Sequence, residues 1–547
     1  DYDLDGDLDA YVMNVPNELS QFTREEHQSL FKNNKNKSDH FYKNQDGKFI
    51  EISKELGINN HAFGLGLCIS DIDNNGYPDI YIANDYEDRD YLFMNRKGVF
   101  TEEIRQRTRH TSVFGMGIDI ADFNNDGYND IVELDMAFPN HTRSKRNMSS
   151  MSTEKFWGMV TSGNHYQYMT NTLQLNNGNA TFSEIAQLAH VSKTDWSWGA
   201  LLADFDNDGY KDLVVTNGRE KDLKDRDFQN KLSQQISEKG SLSLDDVYAF
   251  APSSVQSNYI FKNNGDLTFN DNTEDWGFDT KMNSNGIAYA DLDNDGDLDL
   301  ILNNLNKDAS IYENNSNGNK NHIAFQLKGH KQNTFAYGAK IKIYTENGMQ
   351  VQEVSPTRGY LSSVDTRLNF GLNTSSKVKK IEITWPDRKT TILTDLKINQ
   401  THLINYNSSS YNNIPKEKRS SFIFKDITQA KLLKYHEENK FNDWDREVLL
   451  PYALSNQGPC IVVGDVNNDQ LDDVFIGGSS GSLSQIQIQT KEGNFKVLKS
   501  NPFQADIVSE DIGALFFDSD NDGDLDLYVC SGSNEFNKNS NALQDRL

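Results

Sequence analysis

Cysteine is scarce: the 547-residue chain has three, Cys68, Cys460 and Cys530, each in an apolar, strand-like segment. No disulfide framework or zinc spacing can be built from them, so buried free thiols are expected. Cations are short too, with 54 Lys and Arg against 81 Asp and Glu, a formal charge of −27. That balance argues against nucleic acid as a partner, because such binding rests on Lys and Arg neutralising phosphates. No hydrophobic run approaches the ~20 residues of a membrane-spanning helix. The eleven histidines are scattered. His-Glu-x-x-His, Walker and dinucleotide-binding motifs are all missing, so no catalytic residue and no organic cofactor is assigned. His436-Glu437-Glu438 reads as a lone, solvated cluster. The chain has no initiator Met and opens inside an acidic loop, so it reads as a fragment in which an export signal could not be observed.

What the chain has in abundance is that loop. Asp204-Phe205-Asp206-Asn207-Asp208-Gly209-Tyr210-Lys211-Asp212 places acidic side chains at positions 1, 3, 5 and 9 and a glycine at position 6. Glycine reaches φ > 0 at little cost, so the backbone can wrap a hard cation there. Six further copies begin at Asp1, Asp71, Asp122, Asp291, Asp465 and Asp518. The predicted ligands are Asp1, Asp3, Asp5 and Asp9; Asp71, Asp73, Asn75 and Asp79; Asp122, Asn124, Asp126 and Asp130; and Asp204, Asp206, Asp208 and Asp212. Asp291, Asp293, Asp295 and Asp299; Asp465, Asn467, Asp469 and Asp473; and Asp518, Asp520, Asp522 and Asp526 complete the set. Gln470 replaces the glycine in the loop opened by Asp465, the weakest of the seven.

Single runs of Asp, Asn and Gly are commonly exposed turns. A turn needs no carboxylate at position 9, however, and every copy has one. An EF-hand would need a Glu at position 12 and flanking helices, whereas Leu213-Val214-Val215-Thr216 follows as a strand. Calcium, up to seven ions, is the expected metal, and seven would bring the charge to about −13 and let the chain compact. Ligand-rich surface turns suit the weak calcium binding of extracellular modules.

Small-residue apolar segments precede the loops, as in Gly199-Ala200-Leu201-Leu202-Ala203, and apolar runs follow them. A second signature comes later in each unit: an apolar pair, an Asn, a Gly turn and a Phe. It spans Phe41 to Phe49 with Asn44, Tyr91 to Phe100 with Asn95, Leu173 to Phe182 with Asn176, and Tyr259 to Phe269 with Asn263. Two strands around a metal turn plus a hairpin predict one four-stranded sheet per unit, an all-β fold. A repeated unit fits a β-propeller better than a sandwich. These loops and turns resemble the FG-GAP or VCBS repeats of integrin-α-like propellers across residues 1–318. That resemblance implies seven blades, hence blades lost before Asp1.

Residues 134–170 and 217–256 are long insertions, the second with a helical run from Asp225 to Lys239. Trp196 and Trp198, at strand spacing two, would serve either as blade-to-blade core, which is favoured, or as a stacking platform for a sugar. From 319 to 407 the metal loops vanish. Gly338-Ala339-Lys340, Gly359-Tyr360, Asn369-Phe370-Gly371-Leu372 and Trp385-Pro386 resemble the ASPIC/UnbV domain that follows such propellers in the cartilage-acidic-protein-like family. Asp387-Arg388 stands where that family often has a glycine, and Trp385 is expected in the core. Residues 408–421 read as a linker, and 422–547 as the start of a second propeller. The resulting expectation is a calcium-binding extracellular or cell-surface binding or adhesion protein recognising a protein or glycan. A purely structural calcium-stabilised scaffold, or a propeller enzyme acting on polysaccharide, are the alternatives.

Overall fold

A computed structural model describes residues 1–14, 39–60, 62–85, 88–147, 152–179, 181–316, 320–406, 412–413, 424, 436–500 and 502–547. The linker expected at 408–421 lies outside these residues except for 412–413. The chain forms two compact units, Asp1–Lys416 and Glu417–Leu547.

The first unit is a succession of antiparallel sheets, each a meander in chain order. Ala10–Val12, His40–Gln45 and Lys48–Glu51 form the first, and Phe63–Ser70, Asp79–Asp85, Tyr91–Asn95 and Phe100–Glu102 the second. Ile118–Ala121, Asp130–Glu133, Thr172–Asn176 and Phe182–Glu184 form the third. The fourth has Asp195–Ala203, Asp212–Asn217, Tyr259–Asn263 and Phe269–Asp271, with Met136–Ala137 added at its inner edge. Ser284–Ala290, Asp299–Asn304 and Ser310–Tyr312 form the fifth.

Separate apolar layers fill the spaces between successive sheets. Met116, Phe123, Leu173, Leu202, Leu213 and Phe269 form one, and Leu201, Val214, Ile287, Leu300 and Leu302 another. This is the blade-on-blade packing of a propeller-like all-β fold. The small residues ahead of each loop have a packing reason. A Cβ on Gly117 would lie 1.7 Å from the Trp198 carbonyl oxygen, and one on Gly66 2.4 Å from that of Met116. The inner strands therefore approach backbone to backbone. Phe100, Phe182 and Phe269 are buried, whereas Phe49, in the first sheet, is 57% exposed.

Residues 321–405 build two sheets. Asn321–Lys328 runs between Leu368–Asn373 and Thr401–Asn405, and Met349–Glu353, Lys340–Tyr344, Lys380–Thr384 and Lys389–Leu393 lie in order in the other, with Asn412–Asn413 from the expected linker pairing at its edge. Ile323, Phe325, Ile341, Ile383 and Trp385 fill the space between them, and Trp385 is a core residue as its sequence context suggests.

In the second unit, Ile461–Gly464, Asp473–Ile476, Gln485–Gln489 and Phe495–Val497 form one four-stranded sheet, and Glu510–Phe517 pairs with Asp526–Gly532. All three cysteines are free thiols, with Cys68 buried and Cys460 and Cys530 half-buried.

Candidate metal centre

Each acidic loop after the one opened by Asp1 closes a hairpin between the first two strands of a sheet, with the same register. Position 9 pairs with the residue just before position 1, as in Ser70 with Asp79, Ala121 with Asp130, Ala203 with Asp212, Ala290 with Asp299 and Gly464 with Asp473. The loop folds on its own carboxylates. In the Asp204 loop, the N–H of Asp208 donates to Asp204 Oδ1 at 3.0 Å and that of Gly209 to Asp204 Oδ2 at 2.8 Å. Asp206 Oδ1 accepts from Asp208 at 3.1 Å, and Asp208 Oδ1 from Tyr210 at 2.9 Å. Asn207 at φ +55° and Gly209 at φ +97° supply the left-handed turns that aim these oxygens inward.

Position 9 has a second task. Asp212 Oδ2 accepts from the Phe205 N–H at 3.1 Å and its Oδ1 from the Asn263 N–H at 2.9 Å, clamping the loop to the third strand. Asp79 does the same with Ile72 and Asn95, Asp130 with Phe123 and Asn176, and Asp299 with Leu292 and Asn314.

Among the described residues, five loops bring three carboxylate oxygens within 4.8 Å of one another: Asp1, Asp3 and Asp5; Asp71, Asp73 and Asp79; Asp204, Asp206 and Asp212; Asp291, Asp293 and Asp295; Asp518, Asp520 and Asp526. The loops opened by Asp122 and Asp465 do not form such a triplet. Both carry an amide at position 3, Asn124 and Asn467, and Asn124 Nδ2 holds Asp126 Oδ2 at 3.0 Å.

Packing these acids together is costly. Burial, then Asp208 and Asp206, push the Asp204 carboxyl up to about 7. Burial also raises Asp79, Asp130 and Asp212 well above the usual carboxylate range. Asp71 Oδ1 is buried without a hydrogen-bond partner. A donor set made of oxygens, several of them anionic and buried, fits a hard divalent cation. Some loops carry an internal cation as well. Lys262 Nζ pairs with Asp206 and, at 2.6 Å, with Asp208, while Lys43 Nζ pairs with Asp3.

Two asparagine positions, given no role by the ligand pattern, tie one loop to the next. Asn95 Nδ2 donates to the Tyr2 carbonyl at 2.8 Å, Asn176 to Ile72 at 3.1 Å, Asn263 to Phe123 at 3.0 Å and Asn314 to Phe205 at 2.7 Å. In each case the acceptor is position 2 of the preceding sheet's loop. In the other direction, position 4 reaches the following loop's glycine carbonyl, from Asn74 to Gly127, Asn125 to Gly209 and Asn207 to Gly296. The recurring Asn of the second signature was the visible trace of this staple.

The module at 321–405 covers the same face. Lys340 Nζ reaches Asp71 O at 2.8 Å, Asp71 Oδ2 at 3.0 Å and Asn74 Oδ1 at 2.7 Å, and Arg367 reaches Asp291 O at 2.7 Å and Asn294 Oδ1 at 2.9 Å. Asn373 N–H donates to Asn207 O at 2.9 Å, and Lys331 Nζ to Asp5 O. Its segment 355–364 goes deeper, among the inner strands. Arg358 Nε pairs with Asp119 Oδ1 at 2.7 Å, and its Nη atoms bond Tyr289 Oη and the Leu202 carbonyl, both at 2.7 Å. Tyr360 packs on Trp198 with ring centroids 4.9 Å apart.

The tryptophan pair is thereby used inside the fold: Trp198 Nε1 donates to Gly218 O at 2.7 Å, and the Arg219 guanidinium lies 3.7 Å over the Trp196 ring. His436 is not part of a solvated cluster. It is partly buried, its Nδ1 lies 3.1 Å from Gly477 O and its Nε2 2.8 Å from Glu438.

A family model described as FG-GAP-like repeat matches residues 71–133, 159–215, 243–302 and 465–529, and one described as ASPIC and UnbV matches 329–410. Neither is an enzyme family. Cartilage acidic protein 1 of Xenopus tropicalis is 24% identical over 419 residues, 75% of this chain and 54% of that protein. Cartilage acidic protein 1 of Homo sapiens is 24% identical over 345 residues, 62% of this chain and 43% of that protein. The chain thus spans about half the length of the curated relatives it matches. A solved Agrocybe aegerita lectin, described as recognising non-reducing terminal N-acetylglucosamine, aligns over 85% of this chain and 89% of its own at 13% identity. Its TM-score is 0.24, too low to carry an argument.

Proposed function

The chain is an FG-GAP-repeat protein with an ASPIC and UnbV domain, and on that premise we propose that it is a calcium-stabilised binding protein of the cell exterior, recognising a protein or a glycan. In this reading residues 1–318 form a propeller, 319–407 the module that covers its metal loops, 408–421 a linker and 422–547 the start of a second propeller. Calcium is held by positions 1, 3, 5 and 9 of the seven loops, with the backbone carbonyl of position 7 as a further donor.

One observation carries the reading: five of the loops bring three carboxylates within 4.8 Å of one another, and in the first unit position 9 is fixed by backbone donors, as Asp212 is in buried surroundings. Like charges at that spacing repel strongly where the dielectric is low, and a divalent cation offsets the repulsion. Ions that bind only the folded loops also stabilise the fold by linkage.

Isothermal titration of the chelated chain with calcium tests this. Several molar equivalents of heat-releasing binding in the millimolar range, with a rise in Tm, are expected. Absence of both overturns the assignment. A purely structural role for the ions is the second reading, favoured by the way Lys340, Arg367 and Asn373 cover the loops. Ligand binding that survives calcium removal in a still-folded chain would point to it.

A further inference from the structure

We propose that the aromatic surface of the first insertion, centred on Phe156, Trp157, Tyr166 and Tyr168, binds an anionic polysaccharide. The proposal rests on the reading of the molecule as an exterior binding protein and names the site and ligand class.

The surface lies at the end of the sheets away from the metal loops, because it belongs to a connection between second and third strands whereas the loops join first and second. Phe156 sits at its centre, with ring centroids 5.2 Å from Trp157, 5.4 Å from Tyr168 and 6.2 Å from Tyr166, and His110 adds an edge 5.0 Å from Tyr168. Trp157 is 48% exposed, Tyr166 42% and Tyr168 43%. Contiguous exposed aromatics on a folded domain mark an interaction site rather than leftover surface.

The rings are held in place. Ser152 caps the helix Thr153–Thr161 by accepting from Lys155 N–H. Gln167–Tyr168 pairs in parallel with Thr111–Ser112, and the buried Gln167 donates to Asp88 O and Ser112 O, both at 3.1 Å. Alternation along this extended stretch sends Tyr166 and Tyr168 outward together while Gln167 points in. Rings fixed in this way lose little entropy when a flat, partly apolar ligand lies on them. A pyranose ring, with C–H groups on its faces and hydroxyls at its edge, is such a ligand, and a tyrosine hydroxyl can bond its rim.

Charge selects an anionic chain. The helix Thr153–Thr161 and the stretches 104–112 and 162–168 contain Arg105, Arg107, Arg109 and Lys155 against a single carboxylate, the exposed Glu154, in a molecule of net charge −27. Arg107 is tied to Glu103, but Arg109 is exposed and Arg105 makes only a 3.4 Å contact to Gly163 O. The buried His165 beside Tyr166 is held down to about 4, chiefly by desolvation and then by Arg105. The nearby acids Glu184 and Glu102 are paired with His110 and Arg89.

The test uses the full chain in millimolar calcium with dextran sulfate, alginate, uncharged dextran and polyglutamate as probes. Dextran sulfate and alginate should bind and dextran should not. Trp157→Ala and Tyr168→Ala should each weaken binding about ten-fold. Neither should change the calcium heat or Tm, since both side chains are exposed. Arg109→Gln should weaken binding and flatten its salt dependence. Unaltered binding by both aromatic variants, or polyglutamate binding as tightly as the sugars, overturns the proposal. So does a chain that takes up calcium normally but binds neither polysaccharide, and that result leaves the calcium reading standing.

Discussion

The same loop occurs in two surroundings. In the first unit, Asp204 and Asp212, Asp122 and Asp130, and Asp71 and Asp79 are buried, stapled to neighbouring loops and covered by Lys340 and Asn373. In the second unit Asp518, Asp520 and Asp522 are exposed and Asp465 and Asp526 only half-buried, with Asp473 the buried exception. Identical ligand spacing therefore carries different electrostatic stakes: a screened carboxylate tolerates its neighbours, whereas a buried one must be protonated or compensated. The metal dependence of folding should be concentrated in the first unit.

Calcium removal should produce the largest effect. At free calcium a hundred-fold above the dissociation constant, each ion contributes about 2.7 kcal/mol by linkage. Chelation of several ions should lower the melting temperature of the first unit by on the order of ten degrees or more. Hydrogen exchange resolved by peptide should show protection lost first in 63–133 and 195–304, with a smaller change in 461–532. Equal losses in both units would break the contrast. Next comes Arg358→Met, which leaves Asp119 buried without its counter-ion and should cost about 3–5 kcal/mol in denaturant unfolding. Arg96→Met, at an exposed pair with Glu103, should cost under about 1 kcal/mol.

The loops were legible because their information is local: four acids and a glycine within nine residues fold on one another with no help from elsewhere. The propeller-like succession followed from their repetition. The covering module was legible as a separate β segment, yet its docking was not. Arg358 lies beside the Gly359-Tyr360 motif, but nothing in that stretch names its partner Asp119, which is 239 positions away. The Asn staples were half legible, since Asn95, Asn176 and Asn263 recur while their acceptor carbonyls belong to another sheet. The aromatic cluster around Phe156 carried no periodic signal, because an irregular insertion assembles it.

Acidity should act with opposite signs on Asp204 and Asp526 in the calcium-free chain. Asp204, raised to about 7 by burial and its acidic neighbours, favours folding below the unfolded carboxylate pKa, and that advantage is lost as pH rises through 7. Asp526, lowered by hydrogen bonds from Ser519, favours folding above the unfolded value and loses this as pH falls. The chelated first unit should therefore melt several degrees lower at pH 8 than at pH 6, and Asp204→Asn should flatten that slope. Calcium should flatten it as well. Stapling gives a smaller contrast. Asn263→Ala leaves the Phe123 and Lys211 carbonyls without a donor and should cost about 2 kcal/mol, whereas Gln489→Ala should cost under about 0.5 kcal/mol. Gln489 occupies the equivalent place in the second unit, where its backbone N–H holds Asp473 and its side chain forms no staple among the described residues.

The smallest effect concerns position 6. Gln470 adopts φ +67°, close to the turn its glycine counterparts make, and its N–H still donates to Asp465 Oδ2 at 2.7 Å. The loop is thus formed, but a side chain with a Cβ sits in a left-handed conformation that costs roughly 1 kcal/mol. Gln470→Gly should relieve this and stabilise the second unit by about 0.5–1 kcal/mol, the gain reduced by glycine's greater freedom when unfolded. The reverse change in the first unit, Gly209→Ala, should destabilise by more, because φ there is +97° and the new Cβ would lie 3.0 Å from Gln350 of the covering module. Equal and opposite shifts would mean that position 6 senses only backbone strain. A larger loss at Gly209 would show that the covering module tightens the buried loops beyond what their own sequence requires.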